Sequence, residues 1–208
     1  MLNFFHKYAA NFCYSQNGEE GVLAECQRRG ISIFHCVEIG GHDGRFCSNT
    51  AYVIESDIRV VTGLFVEADY NLYQQCVSNW KHNPLVRCQC SRVDGNNINA
   101  FVGDDCDLLS IDVDGADFRI FAGLKAKPKI VIMEIDSSIP PTDPSFNSDG
   151  AAGYFRGVEL GLEKGFFLLV HTGNVLMVSD EYRYLFPDII GDGLSNSDQY
   201  FNTAWLNN

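Results

Sequence analysis

The stretch that most constrains this chain is His35-Cys36-Val37-Glu38-Ile39-Gly40-Gly41-His42-Asp43-Gly44. A short apolar run ends on an acid, breaks into a glycine-rich turn and continues toward a helix-forming segment. Backbone that bends sharply and lies against a ligand cannot carry a Cβ, so glycine collects there. Many αβ loops carry glycine for purely structural reasons, so the meaning of this one depends on the rest of the chain.

Beyond the turn the chain settles into a repeating alternation. Apolar runs at 33–39, 60–66, 86–90, 108–111 and 129–135 read as strands, separated by stretches with helical spacing. Helices are expected from Asn17 to Arg29, from Ser48, from Asp69 to Trp80, from Asp117 to Leu124 and over 152–164. Asn17 is placed to cap the first, with Glu20 completing a capping-box-like start, and Gly30 closes it. Ser48 and Asp69 are caps for the next two. The short runs 166–170 and 175–178 are joined only through His171-Thr172-Gly173-Asn174, so they should pair antiparallel. Alternating strands and helices imply a parallel sheet covered on both faces, made mixed by that closing pair. The expectation is an α/β, Rossmann-like sheet of seven strands in a single domain over 1–208. Residues 1–30 form its helical lead-in, including an aromatic-rich segment at 3–12.

A net charge of −12 argues against a phosphate-backbone partner or an anionic membrane surface, so nucleic acid and membrane are set aside as partners. No run approaches the roughly 18 apolar residues of a membrane span, and the first residues lack the basic start of a signal peptide. Eight cysteines invite a disulfide or zinc framework, yet there is no C-x-x-C pair. The nearest two, Cys88 and Cys90, flank one residue and would share one side of a strand. Cys36 and Cys106 sit beside apolar runs as small hydrophobes. Free thiols in a reducing cytoplasm are the expectation.

Ligands of open α/β sheets bind outside the carboxyl ends of the strands. Acids stand at or near those ends here: Glu38, Glu67, Asp112 and Asp136. Each can also cap a following helix, and Asp69 and Asp117 fit that role as well as any other. Glu67, ending the second strand, is placed to accept both hydroxyls of a ribose.

Ser15-Gln16-Asn17-Gly18-Glu19-Glu20-Gly21, Val37 to Gly44, Ser48-Asn49-Thr50, Leu109 to Asp117, Lys164-Gly165-Phe166 and Val170 to Asn174 together resemble the FkbM-like class I S-adenosylmethionine-dependent methyltransferases. The resemblance runs from about Ser15 to Leu185. It implies a cofactor loop formed by Glu38, Gly40, Gly41, Asp43 and Gly44, with Asn49 behind it. Glu67 would hold the ribose hydroxyls beside Ala68 and Asp69, Asp94 would lie near the adenine, and Asp112 would face the sulfonium. Asp112, Asp114 and His171 are candidates for the base, although a histidine ending an apolar strand also serves structure alone. Asp112, Glu134 and Asp136 form an oxygen set suited to Mg²⁺.

Two departures from the family pattern stand out. His42 takes the place of a middle glycine, and Glu134-Ile135-Asp136 replaces an acid, an aromatic and an asparagine after the fifth strand. The function implied is methyl transfer to a hydroxyl of a small, sugar-like acceptor, with the Pro-rich 139–144 loop as a lid. Two alternatives remain: an inactive cofactor-binding or assembly protein, supported by His42 and the lack of an unmistakable base, and an NAD-dependent oxidoreductase. The second is weakened by the absence of a G-x-G-x-x-G spacing.

Overall fold

The computed structural model describes residues 7–56 and 60–201, so the expected lead-in at 3–12 lies partly outside the described residues. In chain order the elements are α1 (Glu19–Arg29), β1 (His35–Ile39), α2 (Ala51–Ser56), β2 (Thr62–Glu67) and α3 (Tyr70–Trp80). Then come β3 (Val86–Cys90), β4 (Leu108–Ile111), α4 (Asp117–Gly123), β5 (Ile130–Glu134), α5 (Tyr154–Glu163), β6 (Phe166–His171) and β7 (Asn174–Ser179). Short 3₁₀ turns cover Ile98–Ala100, Asp180–Leu185 and Ser197–Gln199.

Seven strands form one sheet in the order β3-β2-β1-β4-β5-β7-β6. The first five in that order pair in parallel with one another. β7 runs antiparallel to both β5 and β6, inserted between them. The expected antiparallel pair is therefore present, with its later strand on the inside. Central strands such as β4 are buried along their whole length, as both-face coverage demands. Edge strand β3 exposes Arg87 and Gln89.

Strand alternation divides the core into two. Val37, Ile39, Leu109, Ile111, Val131 and Met133 point to the face covered by Ile120 and Phe121 of α4 and Val158 of α5. Cys36, Phe65, Leu108, Ile130 and Ile132 point to the other, under Val22 and Leu23 of α1, Val53 of α2 and Trp80 of α3. Trp80 stacks on Phe65 with ring centroids 5.3 Å apart, and its indole N–H donates to the Gly44 carbonyl at 2.9 Å. One aromatic side chain thus joins α3, the sheet and the glycine-rich turn.

The start of α1 differs from expectation. Gly18, at φ 92°, precedes the helix in place of a capping side chain, and Ser15 Oγ accepts the Glu20 N–H at 3.4 Å. Glu20 folds back so that its carboxylate accepts the backbone N–H groups of Phe12, Cys13, Tyr14 and Ser15. Glu19 accepts from Thr172 Oγ1 at 2.6 Å and Asn174 Nδ2 at 3.0 Å. Both carboxylates are wholly buried, and a buried carboxylate takes the largest available set of donors. The loop at 12–15 and the β6–β7 turn offer more donors than one helix end. Ser48 and Asp69 behave as expected: Ser48 Oγ accepts from Ala51 N at 3.0 Å, and Asp69 from Asn71 N and Leu72 N.

Gly40 sits where β1, β2 and β4 end together. It adopts φ +81°, and a Cβ there would lie 1.5 Å from the Asp112 carbonyl oxygen. Gly115 has φ +115° with open space around the same hypothetical atom. Gly40→Ala should therefore cost about 3 kcal/mol, combining overpacking against backbone with left-handed strain. Gly115→Ala carries only the strain, about 1 kcal/mol. Urea denaturation of the two variants checks the contrast; equal losses would contradict it.

Candidate active site

The chain leaves β1 outward for β2 and β3, then returns to place β4 on the other side of β1. That reversal opens a crevice at the strands' carboxyl ends. A cleft of about 430 Å³ lies there, within the range of small-molecule sites.

Its floor is the glycine turn. The amides of Gly40 and Gly41 both donate to Val66 O, locking the turn onto the end of β2. The turn's return depends on Glu38, which is 3% exposed. The carboxylate accepts from Ser48 Oγ at 2.7 Å, Asn49 N at 3.0 Å, Thr50 N at 3.3 Å and the Thr50 hydroxyl. Burial raises its pKa, and those donors oppose the rise. Asn49 then reaches across to Ser110 Oγ on β4 at 3.0 Å.

One wall is Glu67 and Ala68. Glu67 Oε2 accepts the His42 backbone N–H at 2.8 Å, and Oε1 accepts that of Asp69 at 2.7 Å. Each oxygen keeps lone pairs for further donors. His42 lines the same cleft with φ +48°, its ring against that of Phe46 at 5.4 Å and its Nδ1 3.8 Å from Asp43 Oδ1. A left-handed backbone accounts for the preference for glycine at this position.

The far wall is Ser91, Arg92 and Val93, with Leu72 of α3. Asp94 turns away instead: its carboxylate accepts the amides of Asn96 and Asn97, as a short acidic residue does when it opens a turn. Asp43, Gly44, Asn49 and Asp69 do not line the cleft. Asp43 holds the turn through Arg45 N and Phe46 N, and Gly44 packs against Trp80 and Cys76. Ser91 to Val93, Phe46, Cys47 and Leu72 were not expected as wall residues from the sequence. The only signal for the first three is their place just past β3.

The near end is acidic. Asp112, Val113 and Asp114 line the cleft, while Asp114, Asp117, Glu134 and Asp136 line a second cavity of about 310 Å³ beside it. Asp117 fixes the intervening turn by accepting Val113 N at 2.7 Å and Gly115 N at 2.9 Å. Asp112 and Glu134 are hydrogen-bonded to each other, and burial pushes both up, Asp112 to about 7 and Glu134 to about 8. Repulsion from Asp117 adds to the first and from Asp112 to the second. The two carboxyls share one proton across that hydrogen bond.

The metal set expected from the sequence is not assembled. Asp136 bonds Ser138 and Asn147 Nδ2, which hold it below the ordinary carboxylate range, because the chain turns sharply after β5. The acids that do converge, with ligand oxygens within 4.8 Å of one another, are Asp112, Asp114 and Glu134. His171 is wholly buried outside both cavities, its Nε2 2.6 Å from Ser137 Oγ and its ring stacked 4.1 Å from that of Phe201. From the 139–144 loop neither Pro140 nor Pro141 reaches a cavity. Asn147, Asp149 and Ala151, further along, line the second one.

With this geometry in place, comparison identifies the fold. The chain is similar to the O-methyltransferase TomG from Streptomyces achromogenes, solved with S-adenosylmethionine (TM-score 0.58, 15% identity, covering 79% of this chain and 81% of that one). It is also similar to a protein from Klebsiella pneumoniae described as an O-methyltransferase (0.54, 14%, 85% and 86%). A third similar structure is from Staphylococcus aureus, described as a caffeoyl-CoA O-methyltransferase (0.53, 14%, 83% and 85%). The fold is that of the Rossmann-like class I methyltransferases. No family model and no curated protein matches the sequence. Among the described residues no helix is long and apolar enough to cross a membrane.

Both acids of the pair titrate above their unfolded values, so the native state binds more protons than the unfolded chain from about pH 4 up to the values of the pair. The stability they lend is complete at the acid end of that window and is lost as pH rises through 7 to 8. Glu134→Gln should flatten this decline by on the order of 1 kcal/mol, allowing for partial exposure to solvent. Denaturation curves at pH 5 and pH 9 measure it; parallel losses in both proteins would contradict the shared proton.

Proposed function

We propose that this chain is an S-adenosylmethionine-dependent methyltransferase acting on a hydroxyl of a small, sugar-like acceptor. The observation that carries the reading is the bridge between the two cavities. Asp112 lines the first, its proton partner Glu134 lines the second, and Asp114 lines both.

The donor set of the first cleft fits the cofactor. Glu67 would accept from the ribose hydroxyls with its free lone pairs, and the Gly40 to His42 backbone would lie along the methionine and ribose. Ser91 to Val93 would flank the adenine, and Asp112 would suit the positive sulfonium. The cofactor supplies an electrophilic methyl group. What the chain must then provide is alignment of the acceptor oxygen and a base for its proton. A carboxyl near neutrality, freed when the pair loses its shared proton, is competent as that base. Asp112 would receive the acceptor's proton from the first cavity, and Glu134, on the second, would be the group that exchanges it.

If Mg²⁺ takes part, Asp112, Asp114 and Glu134 would hold it; an all-oxygen set suits that ion. The sequence resemblance to the FkbM-like family belongs to the same proposal. So does a cytoplasmic site of action, which the eight unbridged cysteines support.

Asp112→Asn should lower transfer by about 10²–10⁴-fold while weakening cofactor binding less than loss of Glu67 does. Glu67→Ala should instead weaken cofactor binding by roughly 10–100-fold. A radiolabelled methyl-transfer assay over a panel of small polyols, paired with calorimetry, separates the two effects. Full transfer by Asp112→Asn would sink its assignment as base. Activity lost to a chelator and restored by Mg²⁺ would assign the acid set to the metal.

A further inference from the structure

Cys76 on α3 and Cys88 on β3 face each other with their sulfurs 3.1 Å apart, 12 residues apart in sequence. They stand within α3 and β3, on either side of the short 81–85 connection, and the two elements pack directly on one another. Cys76 is buried in the core face shared with Trp80 and Phe65, and Cys88 is half-buried beside it. A disulfide needs sulfurs about 2.05 Å apart, so closing the gap takes a movement of about 1 Å. Among the described residues no set of metal-ligating side chains includes the pair, and neither thiol lines the site described above.

The pair lies against that site nonetheless. Leu72, one helical turn before Cys76, and Ser91 to Val93, just past Cys88, are the far wall of the cleft. Cys76 Sγ also abuts the glycine turn, where a Cβ on Gly44 would come within 2.7 Å of it.

We propose that Cys76 and Cys88 form an oxidisable dithiol whose disulfide clips α3 to β3 beneath the wall of the cleft. Cys88 is the more accessible sulfur and so the one placed to meet an oxidant first, with Cys76 buried behind it at hydrogen-bond distance. With hydrogen peroxide as oxidant, the Cys88 thiolate attacks one peroxide oxygen and the O–O bond breaks. This gives a sulfenic acid and, after proton uptake, water. The Cys76 sulfur then attacks the Cys88 sulfur, forming the S–S bond and expelling the second water. Two thiols lose two electrons and two protons, and one peroxide becomes two waters. The inference is independent of the cofactor assignment.

The test uses the full chain treated with limiting hydrogen peroxide, then denatured, alkylated and mapped by mass spectrometry. The thiol count should fall by two from eight, in a monomeric product whose one new link joins Cys76 to Cys88 and is reversed by dithiothreitol. Cys88→Ser should keep every remaining thiol under the same treatment, whereas Cys76→Ser should form no intramolecular link and leave Cys88 as a sulfenic acid that dithiothreitol reverses; either variant suffices if the other does not fold. An unchanged thiol count, a link from Cys88 to Cys90 or to a second chain, or Cys88 over-oxidised while Cys76 stays free would each overturn the proposal.

Discussion

Everything at the functional end of this molecule depends on one buried carboxylate. Glu38 ends the central strand with almost no solvent contact, and it is held there by donors from Ser48, Asn49 and Thr50. A buried charge without such partners would cost several kcal/mol, so the segment from Gly40 to Thr50 has to close back onto β1. That closure aims the Gly40 to His42 backbone into the crevice and starts α2. It also ties the loop to β4 through the contact between Asn49 and Ser110. The residue that first suggests a ligand contact is thus the anchor of the loop that would make the contact.

The other side of the switch point is shaped by the same closure. Because Gly40 lets β1 and β4 end against each other, Asp112 emerges beside the cleft, and β5, its next neighbour, brings Glu134 alongside. Two carboxyls forced together in a partly desolvated place cannot both ionise readily, and they share a proton. The same backbone packing that builds the sheet therefore produces the site's titratable group. Stability and chemistry compete at this pair, since the ionised form that would serve a reaction is the form the fold resists.

Much of this was legible in the sequence because it rests on local patterns. Strand ends, the caps at Ser48 and Asp69 and the antiparallel pair at the end of the chain all come from short-range periodicity and turn chemistry. The place of Glu67 in the cleft wall was legible for the same reason: an acid closing the second strand has few other places to point. What could not be read depends on partners distant in the chain. Glu19 and Glu20 look like a helix start, but donors at 172–174 and 12–15 claim them. Asp136 looks like a third ligand, but the turn after β5 gives it to Asn147 and leaves Asp114, an exposed residue at φ +56°, to join the acidic set. His42 was unsettled from sequence because a positive φ is a backbone property, visible only once the turn is built.

The central claim is that the crevice at the β1–β4 switch point is a cofactor site of the methyltransferase kind. Isothermal titration calorimetry of the purified chain with S-adenosylmethionine, S-adenosylhomocysteine and NAD tests it most directly. A single site of micromolar affinity is expected for each of the first two, and no heat with NAD. Absence of binding by both sulfur compounds, or saturable binding of NAD in their place, would contradict it.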